Sequence, residues 1–430
     1  MATSAQRRRE IAQGRWDSAL RSLYGEDEQV LARQRARWCA ALEEFERYYG
    51  PGREVRLYSS PGRTELGGNH TDHQHGYGLA AAVRLDLVAV AARNTDGYIR
   101  VKSRGFNKLD VIDLTEPSPR EGESTHSASL IRGLAEGFRA AGRPVGGFDA
   151  YTASDVLRGS GLSSSAAFEM AMGTILNDAP ENALPPEQVA RLAQYAENIY
   201  FGKPSGLLDQ LTSAVGGVVF ADFADPEAPE LEKIHSAGLI PPEYALCVVD
   251  TRGSHSELTG SFAAIRREME AVAACFGRKV LGQVPEADFR AALPEVRRRC
   301  GDRAVLRAMH YYEENARVLE QEKALREGRF RDFLALVRAS GHASFALCQN
   351  VYRSAEPEHQ ALSVALAVSQ TVLEGRGGAW RMQGGGFAGT IQAFVPRELL
   401  EEYRARIEAV FGPGSCHQLT LREQGACRVL

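Results

Sequence analysis

One loop limits the folds open to this chain more than any other segment. It consists of Gly159, Ser160, Gly161, Leu162, Ser163, Ser164, Ser165, Ala166 and Ala167. A strand is predicted before it at residues 148–153, and an apolar helix after it at residues 165–177. Glycines let backbone amides approach an anion closely, and the amides and dipole at the start of a helix favour negative charge. We therefore expect a mixed α and β fold in which this loop binds a polyphosphate.

Two other interpretations of the loop fit the sequence less well. A flexible linker would not lead directly into an apolar helix. A Walker loop needs a lysine after its glycines, and none follows here. The serine hydroxyls can instead bond phosphate oxygens or a Mg²⁺ ion.

The length and composition predict a globular protein of two domains. The chain has 430 residues, more than one ordinary core holds, and 44% of them are hydrophobic. The polar, proline-containing stretch at 222–229 is the best candidate boundary. We predict an N-terminal helical extension at residues 1–50, a first domain at 51–221 and a second domain at 222–430.

The charge balance argues against nucleic acid and membrane partners. Lys and Arg total 51 against 55 Asp and Glu, so no general positive field attracts anionic surfaces. The most apolar run, 79–92, contains Arg84 and Asp86, which excludes an ordinary membrane span. Polar sequence follows residues 1–10 where a signal peptide would need an apolar stretch. We expect a cytoplasmic protein, a monomer or weak homodimer, whose seven scattered cysteines are reduced.

Hydrophobic periodicity predicts several strands and helices along the chain. A tight connection at 94–97 favours a largely antiparallel first sheet. The predicted strands lie at 55–59, 79–92, 98–103, 109–114, 148–153, 218–223, 244–250 and 390–395. One or two helices are predicted at 16–48, and further helices at 127–141, 165–177, 186–201, 257–276, 302–327, 330–347 and 359–373.

Two further segments agree with the loop in order and spacing. Residues 61–72 read Pro-Gly-Arg-Thr-Glu-Leu-Gly-Gly-Asn-His-Thr-Asp, and residues 382–389 read Met-Gln-Gly-Gly-Gly-Phe-Ala-Gly. Together the three segments resemble the motifs of the GHMP kinases, the superfamily of galactokinase, homoserine kinase, mevalonate kinase and phosphomevalonate kinase. Residues 206–210, Gly-Leu-Leu-Asp-Gln, resemble the galactokinase segment that ends in Met-Asp-Gln. The resemblance spans roughly residues 50–425.

The resemblance implies an α+β protein of two lobes, with mixed and antiparallel sheets and an active site between the lobes. It implies a kinase that transfers the γ-phosphoryl group of ATP to the anomeric hydroxyl of a monosaccharide, with Mg²⁺ as cofactor. Asp209 matches the catalytic base and Arg63 the arginine beside it. Ser165, with Ser164 as the alternative, and Glu197 match the Mg²⁺ ligands. The loop from Gly159 to Ala166 would bind ATP, and the sugar would contact Asn69, His70, Asp72, Gly206 and Phe262.

Two departures from the galactokinase pattern concern the sugar. Galactokinases typically read P-G-R-V-N-L-I-G-E-H-T-D in the first motif, so Asn69 replaces a glutamate. Phe262 falls where a tyrosine is common, and a phenyl ring keeps the stacking surface while losing the hydroxyl. We therefore expect galactose to be a weaker substrate than a related hexose, uronic acid or amino sugar.

The sequence alone also allows other functions and sites. Taken alone, Asp209 would be interpreted as a helix cap. A catalytically silent sugar and ATP sensor of the same family is the alternative to an active kinase, although the retained Asp209, Arg63 and Glu197 favour turnover. A mevalonate or homoserine kinase is disfavoured by His70, Asp72 and the 206–210 segment. The histidines at 70, 73 and 75 lack the helical spacing of zinc motifs.

Overall fold

The computed structural model describes residues 2–120, 122–157, 161–179, 183–203, 205–253 and 259–430. Strands and helices occur throughout these ranges, from Ser4 to Arg428. The strands are β1 Arg56–Gly67, β2 Tyr77–Arg93, β3 Tyr98–Ser103, β4 Leu109–Asp113, β5 Phe148–Ser154, β6 Val218–Asp222, β7 Glu230–Ile234, β8 Tyr244–Asp250, β9 Ala379–Met382, β10 Thr390–Pro396, β11 Cys416–Leu419 and β12 Cys427–Arg428. The helices are α1 Ser4–Ala12, α2 Asp17–Tyr24, α3 Glu28–Tyr49, α4 Ser127–Ala140, α5 Ser164–Asn177, α6 Pro186–Tyr195, α7 Leu208–Val215, α8 Thr259–Ala274, α9 Glu286–Ala291, α10 Leu293–Cys300, α11 Asp302–Arg326, α12 Phe330–Ala343, α13 Ala361–Leu373 and α14 Leu400–Phe411.

The described strands form two sheets. The larger has eight strands in the order β12-β1-β2-β5-β3-β4, with β6 also paired to β2 and β7 to β6. Among the described strands only β3 and β5 run parallel; all other pairs are antiparallel. The smaller sheet has the order β11-β8-β10-β9. We call the larger sheet with α1–α7 the first lobe and the smaller sheet with α8–α14 the second lobe.

The long strand β2 is apolar on both faces because both faces are covered. Val88 and Val90 pack against the core under α1–α3, whereas Leu87 and Ala89 belong to the core under α4–α7. A strand buried on both sides loses the usual alternation of polar and apolar residues. This explains the long apolar run at 79–92, which only Arg84 and Asp86 interrupt. Among the described helices, none has the length and apolar character needed to cross a membrane.

A buried charge connects the N-terminal helices to the sheet. Asp86 of β2 is fully buried and pairs with Arg37 of α3 and with Arg422. Tyr24 of α2 donates a hydrogen bond to the same carboxylate at 2.7 Å. The two arginines neutralise the buried carboxylate, so residues 1–50 are an integral part of the first lobe.

The lobes do not divide the chain at residue 222. Strand β7 pairs with β6 through Val218 and Ile234, so the first sheet continues past the predicted boundary. Strand β12 pairs with β1 through Tyr58 and Arg428, which returns the end of the chain to the first lobe. The chain therefore passes to the second lobe between β7 and β8 and comes back after β11. The predicted boundary separates two paired strands.

Candidate active site

The first sequence motif forms the second half of β1 and the turn after it. A bulge in the pairing of β1 with β2 lies between Pro61 and Arg63. Gly62 at this bulge lies against the predicted phosphate loop: a Cβ there would lie only 2.9 Å from the Leu162 carbonyl oxygen. The Arg63 amide donates a hydrogen bond to that carbonyl at 3.0 Å. Glycine thus permits the close contact that joins the first and second motifs.

Arg63 holds Asp209 through two parallel hydrogen bonds. Its Nε and Nη2 atoms donate to the two carboxylate oxygens of Asp209, each at 2.6 Å. Nη1 of Arg63 donates to the Gly161 carbonyl oxygen. These three hydrogen bonds fix the position of the Asp209 carboxylate relative to the loop.

Asp209 is ionised although it lies in a buried region. It is the second residue of α7, where the helix dipole favours negative charge. Burial favours the neutral acid, but the Arg63 charge and hydrogen bonds from Arg63 and Ser163 outweigh it and hold the pKa of Asp209 below its ordinary value. Its side chain remains 36% exposed, whereas that of Arg63 is 6% exposed. Asp209 is therefore an ionised carboxylate that Arg63 holds beside the loop and that remains partly open to solvent.

The described part of the loop connects Asp209 to the start of α5. Gly159 and Ser160 lie outside the described residues. Ser163 adopts a left-handed backbone conformation with φ 54°, precedes the first residue of α5 and donates its hydroxyl hydrogen to Asp209. Leu162 and Ala166 are buried and anchor the loop, while Ser164 and Ser165 are half-buried at the helix start. A non-glycine residue in this conformation is uncommon and typical of functional sites.

A hydroxyl and a carboxylate meet beside the start of α5. The Ser165 hydroxyl lies 3.4 Å from Glu197 Oε1, and Lys203 Nζ lies 2.8 Å from the same oxygen. The Glu197 side chain is 3% exposed, and its other oxygen accepts bonds from Ser205 and Gln210. Among the described residues, no group of three or more His, Cys, Asp or Glu could hold a metal. Two oxygen ligands of this kind fit Mg²⁺, which usually takes few protein ligands and keeps phosphates and waters.

The predicted sugar residues Asp72 and Gly206 are in contact. A Cβ on Gly206 would overlap the Asp72 carboxylate, so the absence of a side chain makes room for it. Burial, with the nearby Asp209 charge, raises the pKa of Asp72 to about 6. Asp72 therefore lies next to the Arg63–Asp209 pair, and its carboxylate can accept hydrogen bonds at neutral pH.

The other three predicted sugar residues lie around the third motif. The His70 Nε2 atom is 3.0 Å from the Gly385 carbonyl oxygen, and the Phe262 ring packs against Gly385. Asn69 is buried and donates to the Gly384 carbonyl at 2.6 Å. Burial lowers the pKa of His70 to about 4, so the imidazole is neutral. The structure brings all three together around Gly384 and Gly385, and their contact with a sugar stays a prediction.

A buried ion pair between Arg381 and Glu65, which lies beside Asn69, was not identified from the sequence. Arg381 of β9 donates to the Glu65 carboxylate at 2.5 Å and to the Leu66 carbonyl at 2.9 Å. Burial raises the pKa of Glu65 to about 7, against the opposing effect of Arg381. Gln383 donates to the Gly161 carbonyl at 3.2 Å and so joins the third motif to the second. An arginine inside an otherwise apolar strand was the available signal, because a buried guanidinium requires a carboxylate partner.

The fold and this site together define a class of protein. A serine and glycine loop at a helix start faces an arginine-held carboxylate between two sheets, which is the arrangement of a GHMP kinase. Residues 129–217 match the family model for the GHMP kinase N-terminal domain, and residues 43–93 match that for the galactokinase galactose-binding signature. The chain belongs to the galactokinase family.

Curated relatives and solved structures support this assignment. The chain is 33% identical to the galactokinase of Streptomyces coelicolor over 374 residues, which are 86% of this chain and 92% of that one. It is 30% identical to the galactokinase of Actinobacillus pleuropneumoniae over 371 residues, 85% of this chain and 91% of the relative. The Lactococcus lactis galactokinase, solved with galactose, has a TM-score of 0.77 at 24% identity and covers 90% of this chain and 98% of its own. The Methanococcus jannaschii mevalonate kinase has a TM-score of 0.61 at 13% identity, covering 86% and 99%.

These comparisons confirm the predicted family and the predicted α+β fold with mixed and antiparallel sheets. The galactose-binding signature begins at residue 43, inside α3. The family resemblance therefore extends into the segment predicted as a separate N-terminal extension.

Proposed function

We propose that this chain is an ATP-dependent sugar-1-kinase that phosphorylates galactose or a closely related sugar at the anomeric hydroxyl. The main support is the Arg63–Asp209 pair, with two bonds of 2.6 Å, next to the loop at the start of α5. Family membership supports the same reaction. Asp209 and Arg63 are the catalytic residues of this proposal.

The chemistry follows from the positions of these groups. The anomeric oxygen attacks the γ-phosphorus of ATP, the bond from that phosphorus to the β,γ-bridging oxygen breaks, and ADP leaves. Asp209 accepts the proton of the anomeric hydroxyl, which an ionised carboxylate held below its ordinary pKa can do. Arg63 orients the carboxylate and offsets charge as the phosphoryl group moves. Residues 159–166 hold the phosphates of ATP.

Ser165 and Glu197 would hold Mg²⁺, which supplies positive charge to the phosphates when it is bound. Lys203 already places a cation 2.8 Å from Glu197, so this carboxylate can stabilise positive charge beside the loop. The buried Glu169 also lies nearby: burial, followed by the Glu197 charge, raises its pKa well above the ordinary value. Gln210 donates to both carboxylates, at 3.0 Å to Glu169 and 2.9 Å to Glu197, and fixes their separation.

A coupled assay of ADP release tests the proposal. The chain is given MgATP and one monosaccharide at a time, and ³¹P NMR identifies the sugar 1-phosphate. Asp209→Asn should lower kcat by about 10²- to 10⁴-fold and leave ATP affinity unchanged, because only the proton acceptor is lost. Asp288→Asn is the matched control, since Asp288 also lies in a first helical turn but is exposed. Full activity of Asp209→Asn, or no ADP release with any sugar, would overturn the proposal.

The silent sensor has no observation in its favour. Such a protein would bind ATP and sugar in calorimetry and release no ADP. Cytoplasmic location and a monomeric or weakly dimeric state stay predictions, and gel filtration with light scattering measures the second.

A further inference from the structure

The residues assigned to the sugar form two chemically different groups, which we call the two ends of the sugar site. At one end lie the charged groups Asp209, Arg63 and Asp72, with the Asp72 carboxylate against Gly206. At the other end lie the rings of His70 and Phe262, with Asn69 behind them. If the anomeric hydroxyl faces Asp209, the second end meets the far edge of the pyranose ring, where C4 lies opposite C1 and the substituent of the neighbouring C5 projects outward.

The polar atoms of His70 are already bonded within the protein. Its Nε2 atom is 3.0 Å from the Gly385 carbonyl, and its Nδ1 atom is 3.2 Å from His73 Nε2. Gln74 Nε2 lies 3.1 Å from His73 Nδ1, so one set of neutral tautomers satisfies all three contacts. In this set Gln74 donates to His73, His73 donates to His70, and His70 donates to Gly385. His70 therefore offers a substrate its ring carbons and no free hydrogen-bonding nitrogen.

Asn69 is likewise committed to the protein. Its amide nitrogen donates to the Gly384 carbonyl at 2.6 Å and to Glu65 at 3.2 Å, and its oxygen accepts from Asn350 at 2.8 Å. The Gly385 carbonyl accepts from both His70 and Asn350, at 3.0 and 3.1 Å.

Phe262 completes this end with an apolar ring. It packs edge to face on Phe387 at 5.7 Å between ring centroids. Asn69, His70 and Phe262 therefore present no free donor or acceptor to a sugar. A hydroxyl placed against these three side chains would lose its water partners without replacement.

A comparison with the family motif explains why the side chains of Asn69, His70 and Phe262 form an uncharged end. Galactokinases typically have Asn and Glu at the positions of Glu65 and Asn69, so the amide and the carboxylate have changed places. In the structure the exchanged side chains bond each other, and Arg381 pairs with Glu65. The exchange moves the negative charge from the position next to His70 to a buried site where an arginine neutralises it.

We propose that the preferred substrate is a 6-deoxyhexose, whose C5 substituent is a methyl group that packs against His70 and Phe262. This inference rests on the proposed sugar-1-kinase function. A uronic acid would need a cation at the same end. Arg266, one turn after Phe262 on α8, is 48% exposed and already pairs with Glu270 at 2.7 Å. The bonded and apolar side chains thus favour a methyl group over a carboxylate.

The test compares kcat/KM for 6-deoxy-D-galactose, D-galactose and D-galacturonate in the ADP-release assay. We expect 6-deoxygalactose to exceed galactose by about 10- to 100-fold, the discrimination typical of one unpaired hydroxyl in an apolar pocket. A higher value for galactose would overturn the inference and leave the kinase function intact. A higher value for galacturonate would also overturn it and would indicate Arg266 as a ligand. Absence of turnover with every sugar would refute the proposed function itself.

Two variants test the residues that carry the inference. Phe262→Tyr adds a hydroxyl at the apolar end and should lower the ratio of 6-deoxygalactose to galactose activity several-fold. Phe106→Tyr is the control, because Phe106 is a half-exposed phenylalanine between β3 and β4 in the first lobe, whereas Phe262 lies on α8 in the second. The double exchange Glu65→Asn with Asn69→Glu returns the carboxylate to position 69, next to His70. It should also lower the ratio of 6-deoxygalactose to galactose activity. If Phe262→Tyr had the Tm of the parent protein and an unchanged ratio of 6-deoxygalactose to galactose activity, the proposal that Phe262 contacts the C5 substituent would be refuted.

Discussion

The contact between Gly206 and Asp72 predicts a sharp effect of one methyl group. In Gly206→Ala the new Cβ would overlap the Cγ and Oδ2 atoms of Asp72 and lie 3.0 Å from Oδ1, whereas ordinary contacts begin at 3.4 Å. The carboxylate must therefore move by about 1 Å or more, and a displacement of that size near reacting groups costs about 100-fold. We expect kcat/KM for the sugar to fall by this factor, ~2.7 kcal/mol of transition-state binding.

The assay measures kcat/KM for the sugar at saturating MgATP, together with KM for ATP and the Tm. The KM for ATP should not change, because neither Gly206 nor Asp72 belongs to the loop at the start of α5. Gly260→Ala is the matched control: a Cβ at Gly260 meets nothing within 4 Å, although this glycine lies on the same helix as Phe262. If Gly206→Ala kept kcat/KM within twofold at an unchanged Tm, the assignment of Asp72 and Gly206 to the sugar site would be refuted.

Three further predictions concern titrating groups. Because the pKa of Asp72 is raised to about 6, its carboxylate loses acceptor capacity below that pH, so the sugar KM should rise on acidification; Asp72→Asn should abolish this limb of the KM profile. Ser163→Ala removes a hydrogen bond that lowers the pKa of Asp209, so the acid limb of the kcat profile should move to higher pH. Burial opposes ionisation of Asp86, but two arginines hold its pKa below the ordinary value. Its contribution to stability is therefore fully present above a pH of about 3.9 and is lost progressively as the pH falls through the lowered pKa of the folded state. Asp86→Asn leaves two buried arginines without their carboxylate and should lower the free energy of unfolding in urea by about 3–5 kcal/mol.

Much of the fold could be predicted from local patterns. The apolar run at 79–92 and the helices at 302–327 and 330–347 were correctly located, because each has a long and strongly periodic pattern. The segment at 16–48, predicted as one or two helices, forms two, because Gly25 with φ 90° ends α2 before α3 begins. The predicted strand at 55–59 is longer in the structure, where β1 continues to Gly67.

The elements that were missed depend on distant partners. Strand β7, Glu-Leu-Glu-Lys-Ile, is too polar to indicate a strand and exists because it pairs with β6. Strand β12 has two residues and is defined by its pairing with β1. The parallel pairing of β3 with β5 has no local signature, since pairing direction depends on connections and not on composition. The sequence could therefore identify segments but not the boundary between lobes.

In the candidate site too, features that depend on local motifs could be predicted, whereas contacts between distant parts of the chain could not. Arg63 and Asp209 could be paired in advance because both lie in recognisable motifs. The motif gave no indication that Asn69 is bonded to Glu65 and Asn350 or that His70 is bonded to His73. Those bonds depend on how the second lobe packs against β1, and they decide which atoms remain free for a substrate.

The pairing of β12 with β1 also constrains how the protein is made. Tyr58 and Ser59 cannot meet Arg428 and Cys427 until synthesis has passed residue 428. On the ribosome, the first lobe must wait with an open sheet edge beside Tyr58 while the second lobe emerges, and an open edge invites pairing with other chains. The edge of the first lobe at β1 is therefore closed only after the segments of the second lobe have been synthesised.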